Sequence, residues 1–329
     1  MSMKAIALTL GEPAGIGPDC VLRAWLQDPS LLDHICVIAP LYWLKDRATL
    51  LGIHASIEHL DHFGIGSKGV ISCWNPSPDC TAPIQVGEPR SATAQAVVQC
   101  IESAAKQCLA QQATAMVTAP IEKAILKDNN FDFPGHTEFL AHLCEQEKVV
   151  MMLECDGLRI ALLTIHIALS DVPAKLNTPD TLETIVIVEK TLREQLGIET
   201  PRIAMCGLNP HAGEQGYFGD EEGRILIPAC QQARDLGIQI TNPESADTLF
   251  CASKRQSYDL VICCYHDQGL IPIKILGFGD AVNVSMGLPI IRTSVDHGVA
   301  LDIAGTSAVS CSSLIRAIYL ASLMSGASA

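Results

Sequence analysis

Charge is scarce in this sequence, and basic charge scarcer still. Only 18% of the residues are Asp, Glu, Lys or Arg, against 48% apolar, the reverse of a disordered chain's composition. The 22 Lys and Arg are outnumbered by 36 Asp and Glu, which leaves a net charge of −14. No Lys/Arg cluster interrupts that acidic background, so a nucleic-acid partner, which needs a basic patch, is not expected. An anionic small molecule would need a local basic pocket. No apolar run approaches the ~18 residues of a membrane span. The apolar start of the chain is broken at Gly11-Glu12-Pro13 before a signal-peptide core could form. The expectation is a cytoplasmic protein with no membrane partner.

The sequence also has no C-x-x-C pair. Its 14 cysteines are scattered from Cys20 to Cys311 without zinc-ribbon spacing. Cys263 and Cys264 lie in an apolar run and read as small buried hydrophobes. Reduced thiols in a reducing compartment are expected. The loop Gly11–Pro18 follows a strand and opens a helix, yet it is neither G-x-G-x-x-G nor a P-loop, because Gly-Lys-Ser/Thr is missing. The following strand ends Val37-Ile38-Ala39-Pro40, without the acidic residue that holds a ribose in a Rossmann fold. That loop reads equally well as an anion site at a helix start and as a tight structural turn.

What is present is an alternation of short apolar runs with amphipathic segments. The 329 residues suit two domains of the usual ~100–200 residues, or one large α/β unit. Expected strands cover 4–10, 35–39, 69–73, 113–118, 149–153, 158–165, 202–207, 259–265 and 281–284. Expected helices cover 18–27, 91–111, 178–197, 220–237 and 312–324, with Thr178 as a cap and Pro179 in the first turn. The strands are nearly all apolar rather than alternating, which argues for a buried parallel sheet.

Three of these runs lead into a histidine: 158–165 into His166, 202–207 into His211, and 259–265 into His266. In an open α/β sheet, ligands bind beyond the carboxyl ends of strands. Three imidazoles there could form a metal face with open positions, or be three unrelated loop residues. In Gly135-His136-Thr137-Glu138, Thr137 can cap a helix, and His136 at a helix start can meet a phosphate. Lys274 and Arg292 stand in apolar, Gly-rich surroundings and suit an anion pocket, Lys as a point charge and Arg as a fork. An ion pair of Arg292 with Asp296 is the alternative.

Six segments in this order resemble the 4-hydroxythreonine-4-phosphate dehydrogenase (PdxA) family. They are Gly11–Pro18, Gly135–Phe139, Gly207–Glu214, Ala246–Phe250, Tyr265–Leu270 and Ile291–Gly298. The resemblance covers almost the whole chain. It implies an α/β fold with two domains and a largely parallel sheet, like isocitrate and isopropylmalate dehydrogenases and unlike a Rossmann fold. It implies a first, discontinuous domain of 1–128 with 304–329, and a second of 129–303 carrying the metal and substrate residues. The amphipathic stretch 312–324 needs a partner for its apolar face, and the resemblance puts that partner in the first domain. A homodimer is implied, with the active site at the subunit interface. Also implied are NAD or NADP and one divalent ion (zinc, magnesium or cobalt) on His166, His211 and His266. A phosphorylated small-molecule substrate would be held by His136, Thr137, Lys274, Asn283 and Arg292.

The implied reaction oxidises 4-phosphooxy-L-threonine to 2-amino-3-oxo-4-phosphooxybutanoate, which loses CO₂ to give 3-amino-2-oxopropyl phosphate, in pyridoxal 5'-phosphate (vitamin B6) biosynthesis. Asp247 and Asp267 are candidates for the general base on chemistry alone. Ala119, Val299 and Ser307 depart from residues usual in the family and bear on cofactor preference. Two other readings stay open: a paralogue oxidising a phosphorylated four-carbon sugar acid, and a three-His metal-dependent hydrolase.

Overall fold

The computed structural model describes residues 4–277 and 279–326. Its strands are Ala5–Thr9 (β1), Ile35–Ile38 (β2), Ile57–Leu60 (β3), Ile71–Trp74 (β4), Ala113–Thr118 (β5), Val150–Cys155 (β6), Leu158–Leu162 (β7), Ile203–Met205 (β8), Leu260–Cys263 (β9), Val282–Met286 (β10) and Arg292–Val295 (β11). Among the described residues no helix is long and apolar enough to cross a membrane. The chain forms two compact units, Met1–Val149 with Leu288–Ala329, and Val150–Gly287.

In the first unit six strands run in the order β3-β4-β2-β1-β5-β11, and every pairing is parallel. This is not the 3-2-1-4-5-6 order of a Rossmann sheet. Central β1 is buried at all five positions, as a parallel strand covered on both faces must be. The helix Ser312–Met324 packs on β11 and β5, burying Leu314, Ala317, Ile318 and Ala321.

The sequence reading broke the domains at 128/129 and 303/304, whereas the units break at 149/150 and 287/288. Two elements account for the difference. The helix His136–Leu143 packs on Ser91–Leu109, and β11 pairs with β5 in the register Arg292↔Met116. His136, Thr137 and Arg292 therefore belong to the first unit, not the second. β11 escaped the sequence reading because Arg-Thr-Ser-Val looks polar. It is nevertheless fully buried, and Thr293 Oγ1 donates to the Ala317 carbonyl at 2.8 Å. Helix capping differs as well. Asn177, not Thr178, accepts from the Asp180 N–H and caps Thr178–Glu194. Thr137 lies inside its helix, which starts at His136 after Gly135.

The loop after β1 is a packed turn. Gly11 has φ +66°, and a Cβ there would lie 2.0 Å from the Pro120 carbonyl oxygen; one at Gly17 would lie 2.0 Å from that of Leu10. Only glycine permits this backbone approach. The turn is held from below by Arg47, whose guanidinium donates to the carbonyls of Pro13 and Gly15 at 2.9 Å each and pairs with Asp19. The other Asp19 oxygen accepts from the Gly305 N–H at 2.8 Å. Arg47 and Asp19 are 2% and 0% exposed.

The second unit orders its strands β10-β6-β7-β9-β8. β10, β6 and β7 pair antiparallel, while β7, β9 and β8 are parallel. Its core gathers Leu153, Ile160, Leu162, Cys206, Val261, Cys263 and Ile273.

Breaking a buried ion pair leaves one charge uncompensated, at a cost of about 3–5 kcal/mol. Asp19→Asn should therefore lower the urea midpoint of unfolding by that equivalent. The double replacement Asp19→Leu with Arg47→Met should recover part of the loss. Equal midpoints for Asp19→Asn and the native chain would show that the pair does not hold the turn.

Candidate functional site

The parallel ribbon β7-β9-β8 sends its three carboxyl ends to one edge, and a histidine follows each. His166 comes four residues after β7, His266 opens the helix His266–Leu276 after β9, and His211 lies in the turn after β8. The His166 and His266 ring centroids are 5.6 Å apart. Two imidazoles on one tetrahedral ion, at metal–nitrogen distances of about 2.0–2.1 Å, have ring centres roughly 5–6 Å apart. His266 Nδ1 lies 2.7 Å from Asp267 Oδ1. With Nδ1–H given to that carboxylate, the Nε2 lone pair is left for a ligand, the arrangement usual around metal-bound imidazoles. This pair fits a shared divalent ion. The His211 ring lies 6.0 Å from that of Phe218. Among the described residues no three His, Cys, Asp or Glu side chains converge as a metal cage.

His211 is carried by an unusual backbone. His211, Ala212, Gly213, Glu214 and Gln215 all have positive φ, from 41° to 79°. A left-handed residue with a Cβ costs about 1–2 kcal/mol, so the four that flank Gly213 need strong support from their surroundings. Part of that support is Asn209 at the entrance. Its N–H donates to Glu222 Oε1 at 2.7 Å, and its side-chain amide to Glu222 Oε2 at 3.0 Å and Glu221 Oε2 at 2.7 Å. Its carbonyl accepts from the Ala212 N–H at 3.1 Å. Gln268 ties the two neighbouring strand ends, donating to the Gly207 carbonyl and accepting from the Cys264 N–H, both at 2.7 Å.

Of the two general-base candidates, Asp247 accepts from Ser245 Oγ at 2.6 Å. That bond, with smaller help from the Thr248 N–H and from His211, holds its carboxyl below the usual range. Asp247 is thus a weakened base, and Asp267 is engaged by His266. Lys274 lies in the last turn of its helix, and Asn283 on β10 opposite Leu153. Asn283 Oδ1 is buried with no hydrogen-bond partner.

The first unit holds the remaining candidates together. Arg292, 4% exposed, donates from Nε and Nη2 to Thr118 Oγ1 at 3.2 and 2.8 Å. Burial lowers its pKa to about 10, so it stays a cation at neutral pH. His136 is partly buried, but its Nε2 is fully so and has no partner. Burial, then Arg292 and Lys123, hold its pKa well below 6.5. His136 is therefore a neutral imidazole beside two cations. Thr137 follows it in the same first turn.

The sequence reading missed Lys123, Glu222 and Gln268 as site residues. Lys123 follows the carboxyl end of β5, the edge where ligands gather in α/β sheets, so a signal for it existed. Glu222 and Gln268 act through partners that only the fold brings near.

A family model for the pyridoxal phosphate biosynthetic protein PdxA matches residues 32–321. A 4-hydroxythreonine-4-phosphate dehydrogenase of Geobacter metallireducens is 44% identical over 323 residues, 97% of this chain and 95% of the relative. One of Bradyrhizobium diazoefficiens is 41% identical over 342 residues, 98% of each chain. The crystal structure of such an enzyme from Klebsiella pneumoniae superposes with a TM-score of 0.88 at 36% identity, covering 98% of both chains.

A histidine whose pKa is depressed on folding makes stability depend on pH. Below pH 6.5 the unfolded chain takes up a proton that folded His136 refuses, so stability falls as pH falls toward the depressed value. The slope from one such group approaches about 1.4 kcal/mol per pH unit. His136→Gln should lose less stability than the native chain between pH 7.5 and 5.5. Parallel urea midpoints for the two proteins across that range would show that His136 is not held neutral.

Proposed function

This chain belongs to the PdxA family, and on that premise we propose that it is a NAD(P)-dependent 4-hydroxythreonine-4-phosphate dehydrogenase of pyridoxal phosphate biosynthesis. The overall reaction takes 4-phosphooxy-L-threonine and an oxidised nicotinamide to 2-amino-3-oxo-4-phosphooxybutanoate, a reduced nicotinamide and a proton. The product is a β-keto acid and loses CO₂ to give 3-amino-2-oxopropyl phosphate. The observation that carries this reading is identity of 44% over 97% of the chain with a dehydrogenase of that name.

The chain's own groups suit a doubly anionic substrate. Arg292 presents a buried guanidinium, whose planar fork matches phosphate or carboxylate. Neutral His136 offers a buried Nε2 next to it, and Thr137 a hydroxyl in the first turn of the same helix. Lys274 contributes a second cation, and the partnerless Asn283 Oδ1 an acceptor for an amino or hydroxyl group. His166, His211 and His266 would hold one divalent ion (zinc, magnesium or cobalt), supplying Lewis-acid polarisation of the reacting oxygen. Asp267 orients His266 through Nδ1.

The same reading makes the protein a cytoplasmic homodimer with its active site at the subunit interface. Ile271 and Ile275, 58% and 79% exposed one turn apart on the helix that His266 opens, suit a face covered by a second copy.

Purified protein given 4-phosphooxy-L-threonine, a divalent ion and NAD⁺ or NADP⁺ should raise absorbance at 340 nm. No reduced nicotinamide with either cofactor would defeat the proposal. A better rate on the phosphorylated sugar acid lacking the amine would transfer it to that substrate. Arg292→Lys keeps the charge and loses the fork. It should cost about tenfold or more in kcat/KM, mostly through KM, with little change in Tm. A ratio within about twofold of the native enzyme would remove Arg292 from the substrate contacts.

A further inference from the structure

The left-handed turn His211–Gln215 needs a cause, and the structure gives one. Glu222 is 3% exposed, and both its carboxylate oxygens face the segment that leads into the turn. One accepts from the backbone N–H of Asn209, the other from its side-chain amide. The carboxylate also fills the hollow of the turn itself. A Cβ at Gly213 would lie 2.6 Å from Glu222 Oε2, and one at Gly207 would lie 3.3 Å from Oε1. On the far side, a Cβ at Gly219 would lie 2.5 Å from the Asn209 amide nitrogen and 2.7 Å from Glu221 Oε2. Three glycines thus close around one Asn–Glu–Glu knot. Glu222 opens a π-helical turn, Glu222–Leu226, a local irregularity that often marks functional sites. The turn that results presents His211 to solvent at the strand edge.

We propose that Glu222, acting through Asn209, is a positioning residue that fixes the left-handed turn and thereby sets where the His211 imidazole stands. It rests on the reading of His211 as a ligand of the divalent ion. Both Glu222 carboxylate oxygens are engaged by Asn209, so its part is played through that residue. Its carboxylate is an acceptor at both oxygens, which Asn209 requires because it offers two donors. A glutamine there would turn one amide N–H₂ toward a donor and loosen the turn without changing its volume.

The test is Co²⁺ titration of metal-free full-length protein, followed by cobalt absorption, with thermal melts and kinetics on the same samples. For Glu222→Gln we expect a folded protein with a modestly lowered Tm and Co²⁺ affinity weaker by about 10–100-fold, the range seen for groups that orient metal ligands. The fall should be in kcat, with KM for the phosphorylated substrate nearly unchanged, and excess Co²⁺ should restore part of it. Glu222→Asp, which keeps the charge, should recover some affinity. A lowered Tm with native Co²⁺ affinity would make Glu222 merely structural and overturn the proposal. If Glu222→Gln does not fold, Asn209→Ala carries the same test. It keeps the Glu222 bond to the backbone N–H and removes the side-chain link, and native Co²⁺ affinity in that variant would also overturn the proposal. His211→Ala separates the two ideas. If it retains Co²⁺, the ligand reading falls and the positioning role with it. If it loses Co²⁺ while Glu222→Gln does not, only the positioning role falls.

Discussion

Parallel pairing is the constraint on which both groups of candidate residues depend. Strands that run the same way must end at the same edge, so residues far apart in sequence arrive side by side without contacting one another first. In the second unit β7, β9 and β8 deliver His166, His266 and His211 to one edge. In the first, the ends of β1 and β5 bring the packed glycine turn against Ala119 and Pro120, and β11 sets Arg292 beside Thr118. Loops at such an edge are then free to be irregular. That freedom is used twice, in the turn held by Arg47 and in the left-handed turn backed by Glu222.

Electrostatics separates these two neighbourhoods. The chain carries a net charge of −14, and it buries Arg292, whose guanidinium donates to Thr118 Oγ1 and feels the Glu138 carboxylate. A buried cation is stable only when nearby dipoles or a ligand answer it. The Thr118 hydroxyl answers part of Arg292. Keeping His136 neutral avoids adding a further positive charge to Arg292 and Lys123. The histidine edge is organised differently, with carboxylates at Asp267 and Asp247 close to the imidazoles, and Asp267 orients the His266 ring through Nδ1.

The features legible in the sequence were those encoded locally. Apolar runs mark strands, and a histidine directly after such a run marks a strand end, so His166 and His266 could be placed at one edge before the fold was known. β11 was not legible, because the partners that permit its polar side chains to be buried, Thr118 and the Ala317 carbonyl, are distant in sequence. The unit boundaries moved for the same reason, since pairing between β11 and β5 decides where the first unit resumes. Helix caps were missed by one residue at Asn177, because Asn and Thr stand next to each other and both can cap. In the sequence Glu222 is one of three successive acids, Asp220-Glu221-Glu222. Its burial against Gly213, and the left-handed backbone above it, are properties of the folded loop and leave no periodic trace.

The cysteines give this architecture a built-in reporter. Among the described residues the cysteines form no disulfide, with Cys251 exposed, Cys80 partly buried and the rest buried. Burial raises the pKa of Cys20, Cys73, Cys108 and Cys230 to about 12, which keeps them from forming the reactive thiolate at neutral pH. An alkylating reagent applied to the native chain meets Cys251 first. Each later uptake then marks an opening event, with Cys20, Cys36 and Cys100 timing the first unit and Cys206, Cys263 and Cys264 the second. The chain can thus be read, unit by unit, as a clock of its own local unfolding.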